Sequence, residues 1–340
     1  MSNKNLGNAK NARKDEFYTR REDIENELSH YESHFRNKIV YCNCDDPVDS
    51  EFWRFFQRNF RAWGLKKLIA THYEPNEKNY SYMLTLGEGS GWTDEPEKMP
   101  LPCNGDFRSH ACIELLKQAD IVVTNPPFSL FREYVSQLME YKKKFVIVGN
   151  INAITYKEFF PLLKENKVWV GNCFNKTMVF RVPDGYRYDE KITADMNDGH
   201  HYGKVPSITW FTNLDIPKRH QMIDLRGNRF DPEKYPKYDN YDAVEVSRVD
   251  DIPGDYDGVM GVPITFFGRY NPEQFEILGL SVVAETMPEP VQLGERFIEV
   301  YREQGGTGHF SAKMYGLCYY DRDGKAKVPY GRILIRRKVG

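Results

Sequence analysis

Asp120-Ile121-Val122-Val123-Thr124-Asn125-Pro126-Pro127-Phe128 is a short apolar, β-branched run that stops at two prolines. Runs of this kind form strands buried on both faces. Proline has no N–H with which to continue a ladder, so the strand ends there. The residue before a proline is driven toward extended geometry, which restricts Asn125. The corner presents the Asn125 amide and the Pro126 carbonyl side by side, with Pro127 stiffening the turn and the ring of Phe128 just beyond. Two acceptors and one flat ring suit a planar base that carries an exocyclic amine. That amine is a poor nucleophile, because its lone pair is delocalised into the ring. Acceptors on its two hydrogens favour a pyramidal, reactive nitrogen, while an aromatic ring stacks on the base. A strand-terminating turn with a buried phenylalanine is the plainer alternative.

Strand and helix alternate on both sides of this run. Upstream, Ile39-Val40-Tyr41-Cys42 reads as a strand leading into Asn43-Cys44-Asp45-Asp46-Pro47, followed by a helix with Phe52, Phe55, Phe56 and Phe60 inward and Gly64 at its end. A second strand, Leu68 to Thr71, ends at His72-Tyr73-Glu74. Residues 76–100 read as an inserted loop or hairpin in which Tyr80, Tyr82 and Leu84 alternate. Asn104-Gly105-Asp106-Phe107 precedes a helix carrying Ile113, Leu115 and Leu116. Downstream of Asn125 the pattern predicts a helix over about 130–141, a strand Phe145 to Val148, a helix over about 155–165 and a strand Val168 to Gly171. Such alternation implies an α/β fold with a parallel sheet covered on both faces. Acidic strand ends ahead of helices are where open sheets of this kind bind nucleotides.

The flanks are of different character. Residues 1–14 form a polar arm with Lys14 at its end, and Asp15-Glu16-Phe17-Tyr18-Thr19 packs acids, aromatics and a hydroxyl together. Ile24, Leu28, Tyr31 and Phe35 fall on one face of an amphipathic helix expected over 22–36. Met178 to Phe180 and Ile208 to Phe211 are β runs expected to form an antiparallel edge. His200-His201 between them reads as a solvated pair. Beyond about Asp215, prolines, tyrosines and aspartates increase and helical periodicity fades, which places a boundary there. Two β runs remain in that part, Val259 to Phe267 and Ile333 to Ile335.

Composition narrows the class. The 340 residues are 40% hydrophobic and 28% charged, ordinary globular material. No apolar run reaches membrane-spanning length and the first residues carry no hydrophobic signal core, so a cytoplasmic protein without a membrane partner is expected. Six scattered cysteines lack zinc-ligand spacing, and no metal site is expected. The net charge of −2 does not mark a nucleic-acid binder. Any such surface must come from uneven distribution: the N-terminal arm is basic, and from Lys325 to the end there are six basic residues and no acid. Lys14, Lys325, Lys327 and Arg332 are therefore candidate phosphate contacts.

The order of these parts resembles the N6-adenine DNA methyltransferases of the EcoRI type. The likeness rests on Asp15 to Thr19, Tyr41 to Pro47, Gly105 to Ser109, Ile121 to Phe131, Ile154 to Glu158, Tyr235 to Asp242, Gly258 to Phe266 and Arg332 to Ile335. It covers most of the chain, apart from about 76–102, 172–206 and 280–328. It implies a Rossmann-like methyltransferase sheet that uses S-adenosylmethionine, with a catalytic domain over 15–214 and a mixed α/β target-recognition region over 215–340. It implies duplex DNA as substrate and a separately encoded cognate restriction endonuclease as a possible partner. Phe17, Tyr18 and Thr19 match the motif against the cofactor's methionine end, and Asn43, Cys44, Asp45, Asp46 and Pro47 match the loop after the first strand. That loop lacks the glycines found there in many methyltransferases, which leaves open whether Asp45 or Asp46 faces the cofactor. Glu74 matches the acid that holds the ribose hydroxyls. Asp106 matches the acceptor for the cofactor's adenine amine, with Phe107 packed on that ring; each of these acids has an alternative role as a helix cap. Asn125, Pro126, Pro127 and Phe128 match the catalytic motif. Enzymes that methylate RNA bases or protein glutamine share it, and a catalytically inactive DNA-binding relative is a further alternative.

Overall fold

A computed structural model describes residues 18–44, 46–74, 81–87, 95–182, 201–205 and 207–338. The chain forms two compact units: Met1–Ile151 with Val170–Ile216, and Asn152–Trp169 with Pro217–Gly340.

In the first unit the strands are, in chain order, β1 (Tyr18–Thr19), β2 (Ile39–Cys42), β3 (Lys67–Thr71), β4 (Ser81–Gly87), β5 (Glu97–Leu101), β6 (Ile121–Thr124), β7 (Lys144–Asn150), β8 (Trp169–Val170, where the chain re-enters this unit), β9 (Met178–Val182), β10 (His201–Val205) and β11 (Ile208–Thr212). An eight-stranded sheet has the order β5-β4-β3-β2-β6-β7-β11-β8. Its centre is parallel, β2 pairing with β3 and β6, and β6 with β7. All four residues of β6 are buried, as an apolar run between two helical layers requires. The chain goes from β2 outward to β3, then returns to place β6 on the other side of β2. This reversal is a topological switch point, where open α/β sheets form their ligand crevice.

The helices follow the expected periodicity. Ser50 caps Glu51–Asn59 by accepting from the Phe52 amide, and Phe52, Trp53, Phe55 and Phe56 face inward. Ser109 caps His110–Gln118 in the same way. Phe131–Glu140 buries Phe131, Tyr134, Val135 and Leu138. The inserted hairpin is β4 and β5, which extend the sheet antiparallel beyond β3.

Several expectations need correction. The helix over 22–36 is broken into Arg21–Leu28, a 3-10 turn Ser29–Tyr31 and Glu32–Phe35, although Ile24, Leu28, Tyr31 and Phe35 are all fully buried. The helix over 155–165 shrinks to Phe160–Lys164, because Pro161 is tolerated only in a first turn. The β runs at 178 and 208 are not neighbours. Every residue of β11 is buried, an interior-strand pattern, and it pairs antiparallel with β7. In β9, buried Met178 and Phe180 alternate with half-buried Val179 and Arg181, and that strand joins β1 and β10 in a separate small sheet.

The second unit holds β12 (Val244–Glu245), β13 (Met260–Pro263), β14 (Phe275–Leu280), β15 (Tyr319–Tyr320), β16 (Ala326–Lys327) and β17 (Arg332–Arg337). Its main sheet runs β12-β13-β17-β14, parallel only between β12 and β13. The apolar run from Val259 continues past Pro263 as a 3-10 stretch, Ile264–Arg269, rather than as strand. Tyr238, Ala243, Met287, Leu317 and Leu334 form one core cluster. No described helix is long and apolar enough to cross a membrane.

Candidate active site

The switch point is closed by three hydrogen-bonding elements. The Thr124 hydroxyl donates to the Asn43 carbonyl, tying the end of β6 to the end of β2. The Tyr134 hydroxyl donates to the Asn43 side-chain oxygen, bringing the helix after the proline corner onto the same point. Burial pushes the Tyr134 phenol well above its ordinary pKa, so it stays a donor. Phe107 meets the Tyr134 ring edge-on at 5.0 Å, and Gln137 of the same helix donates to the Phe107 carbonyl at 3.2 Å. Tyr134 is thus the hub of the site. The sequence disguises it as one more apolar position of an amphipathic stripe.

On this frame Asn125 is 7% exposed and Pro126 is buried, while Pro127 and Phe128 are half-buried. Phe128 opens a single 3-10 turn, Phe128–Leu130, in which the Leu130 amide donates to the Pro127 carbonyl at 2.9 Å. The corner is rigid on both sides, with a parallel strand before it and a helix immediately after.

The expected cofactor residues also cluster at strand ends. Asn43 and Cys44 are buried directly after β2. Asp46 accepts from Tyr82 Oη at 2.8 Å and from the Val48 amide at 2.9 Å, and its other oxygen is 3.3 Å from His72 Nδ1. Pro47 is buried beside it. After β3, the Glu74 amide donates to the Asn104 carbonyl at 2.7 Å, which joins the Glu74 and Asp106 turns. This approach demands Gly105: its φ is +82°, and a Cβ there would lie 1.8 Å from the His72 carbonyl oxygen.

Asp106 is held by Arg108 through two guanidinium contacts of 2.9 and 2.6 Å and one amide contact of 2.8 Å. Burial works to raise the Asp106 pKa, but the Arg108 bonds outweigh it and leave the carboxyl below its usual range. Arg108 was not singled out in the sequence; its signal is only its place two residues after the acid. Phe107 is 5% exposed, so it forms the floor of the site and offers little free face for a ring to stack on. Among the described residues the buried Thr19 hydroxyl has no hydrogen-bond partner. Phe17, Asp45, Lys14, His200 and the side chain of Tyr18 lie outside the described residues.

The C-terminal cations fare differently from expectation. Arg332 does not face solvent: its guanidinium grips Glu245 at 2.7 and 3.0 Å, with side-chain exposures of 11% and 1%. The reason is register. Arg332 opens β17 opposite Pro263 of β13, and its side chain reaches across β13 to Glu245 of β12. Arg336 pairs with Glu276 and Arg337 with Asp257. Lys327 lies 3.3 Å from Asp321, and Lys325 is exposed. The acid-free C-terminal stretch is therefore largely neutralised by acids from elsewhere in the chain. Among the described residues no group of three His, Cys, Asp or Glu is placed to hold a metal, and none of the six cysteines forms a disulfide.

The parallel core, its switch point and the Asn125 corner define a Rossmann-like methyltransferase. The chain belongs to the family described as adenine-specific methyltransferase EcoRI, whose model matches residues 5–338. It is 48% identical to the Type II methyltransferase M.EcoRI of Escherichia coli over 291 residues, 82% of this chain and 89% of that protein. It is 44% identical to the Type II methyltransferase M.MpnI of Mycoplasma pneumoniae, covering 79% of this chain and 83% of that protein. A third relative, the Type II methyltransferase M.MgeORF184P of Mycoplasma genitalium, is 42% identical over the same share of this chain. No solved structure matches significantly.

Proposed function

We propose that this protein is a site-specific DNA methyltransferase that moves a methyl group from S-adenosylmethionine to N6 of a flipped-out adenine in duplex DNA. We place it within, or derived from, a restriction-modification system whose cognate endonuclease is a separate chain. The observation that carries the reading is the Asn125-Pro126-Pro127-Phe128 corner at the switch point of the sheet in a member of this family.

The residues fit the methyl donor. A buried hydroxyl without a partner among the described residues, such as that of Thr19, costs stability unless a ligand or water satisfies it. Asn43, Cys44, Asp46, Pro47, Glu74 and Asp106 all follow strands that end toward this edge, Asp45 lies between two of them in sequence, and Phe17 and Tyr18 directly precede Thr19. When bound, S-adenosylmethionine supplies an electrophilic methyl group on a sulfonium. Glu74 holds ribose hydroxyls, and Asp106 accepts from an adenine amine once its carboxylate turns from Arg108.

An adenine stacked in a duplex cannot reach such a corner, so it must leave the helix. Asn125 and the Pro126 carbonyl then accept from N6 and draw its lone pair out of conjugation. Phe128, half-exposed at the head of its turn, stacks on the base. Direct transfer to nitrogen needs no enzyme nucleophile, and no cysteine takes part. Positioning and electrostatics supply the rate.

The second unit is the proposed target-recognition region. Lys325 and Lys327, with Lys14 on the arm, are its proposed phosphate contacts; Arg332 leaves that group because Glu245 occupies it. Transfer of labelled methyl to duplex DNA, RNA and protein, followed by sequencing of the methylated positions, tests the reading. Label in DNA adenine at one recurrent site is expected. Label confined to RNA or protein, or none at all, overturns it.

A further inference from the structure

Loops that meet a nucleotide after the first strand of an open α/β sheet are commonly shaped by glycines. Here no glycine occurs between Cys42 and Gly64. Something else must hold the segment that follows β2.

Asp46 organises that segment. Its carboxylate accepts from the Val48 amide at 2.9 Å, and its carbonyl accepts from the Asp49 and Ser50 amides at 3.0 and 2.6 Å. Ser50 then caps the helix that begins at Glu51. The conformation of residues 46–50 thus depends on where the Asp46 carboxylate points.

The inserted hairpin fixes that direction. Tyr82 of β4 donates its hydroxyl to Asp46 Oδ1 at 2.8 Å. Its ring stacks on His72, with centroids 5.0 Å apart and planes within 21°. The Lys98 ammonium of β5 lies 3.7 Å from the Tyr82 ring centroid, a cation–π contact across the hairpin. His72 in turn brings Nδ1 to within 3.3 Å of Asp46 Oδ2. The carboxylate is held by Tyr82, with the His72 imidazole just after β3 beside it, and the tyrosine is itself held on its ring.

We infer that Tyr82 is a positioning residue: through Asp46 it sets the shape of residues 46–50 for the methyl donor, and this is what the inserted hairpin contributes to the reaction. The inference rests on the donor-binding reading of the β2 loop proposed above. It makes the hairpin a side-chain substitute for a glycine-rich turn.

Tyr82→Phe tests it, because the ring and its stacking stay while the hydroxyl goes. Calorimetry with S-adenosylhomocysteine should show about 10-fold weaker binding, the scale of one lost hydrogen bond to a partly exposed carboxylate. KM for the donor should rise similarly, while kcat at saturation and the affinity for duplex DNA stay within about twofold. In the ligand-free protein, hydrogen exchange at the Val48, Asp49 and Ser50 amides should quicken. In an Asp46→Ala background the Tyr82→Phe change should lose its effect, since its only route is through that carboxylate. Wild-type binding and exchange in Tyr82→Phe, or an undiminished effect in the Asp46→Ala background, overturns the inference and leaves the donor site standing. A wild-type protein that binds no S-adenosylhomocysteine overturns the donor site and the inference together.

Discussion

Asn125 directly follows β6, nearly buried, and adds little to packing that alanine would lose. Its proposed task is to accept from N6 as positive charge develops there. Asn125→Ala should therefore lower methyl transfer by about 10²–10³-fold, the scale of one preorganised polar group at a reacting centre. Affinities for duplex DNA and S-adenosylhomocysteine should hold. Single-turnover kinetics check this, and near-normal turnover removes Asn125 from the chemistry. Asp106 poses a different question, because Arg108 already holds it. If its carboxylate serves the methyl donor, Asp106→Ala weakens S-adenosylhomocysteine binding about 10-fold, whereas Arg108→Ala leaves it equal or tighter. Calorimetry separates the two; equal losses would assign the pair to structure alone. The sign of the pH effect follows from the lowered pKa of Asp106 in the folded protein. The pair's stabilisation is complete above the unfolded value, about 3.9, and is lost as pH falls through the lower folded value. The stability gap between the wild type and Arg108→Ala should thus narrow on acidification below about pH 4, which urea melts across pH would show.

At the scale of elements, the second unit depends on one buried charge pair. Glu245 on β12 receives the Arg332 guanidinium from β17 and also the hydroxyls of Tyr238 and Ser247. Tyr238 in turn lies against Gly261 of β13, where a Cβ would clash with its hydroxyl. Removing one partner of a buried pair strands the other charge, which costs roughly 3–5 kcal/mol. Arg332→Ala should therefore lower the denaturant midpoint sharply, and Arg332→Met combined with Glu245→Gln should regain most of the loss. DNA affinity of the folded fraction should be unchanged. An Arg332→Ala protein of wild-type stability but reduced DNA affinity would return this residue to the phosphate surface. In the same unit Tyr235 and Tyr238 are 2% and 3% exposed and belong to the core.

For the whole molecule, a net charge of −2 means that DNA must be met by a local excess of cations. Arg332, Arg336 and Arg337 all have acidic partners, and Lys327 faces Asp321. Among the described residues that leaves Lys325 and Lys338 as exposed cations of the stretch without an acidic partner, with the N-terminal arm as the other proposed source. Neutralising Lys325 and Lys327 together should weaken specific and random duplexes alike, and reduce the slope of log affinity against log salt by up to about 2. An unchanged slope would move the DNA path away from β16.

Local patterns in the chain were enough to define the parallel core, because β2, β3, β6 and β7 are short apolar runs between amphipathic helices and need no distant partner to be recognised. They also marked the Asn125 corner, since two prolines stop a strand wherever they occur. The hairpin was visible from the alternation of Tyr82 and Leu84. What β4 does was not, because the contact between Tyr82 and Asp46 spans 36 positions. Pairing of β9 and β11 escaped for a similar reason: both are β-branched and aromatic, and only their burial pattern, set by what packs on each face, sends one to the main sheet and the other to a small one. Charge was the most misleading local signal. A run of basic residues without acids looks like a phosphate track along the sequence, but an ion pair is decided in space. Strand register brought Glu245 to Arg332 across 87 positions, and only the tertiary structure could show that this cation was already taken.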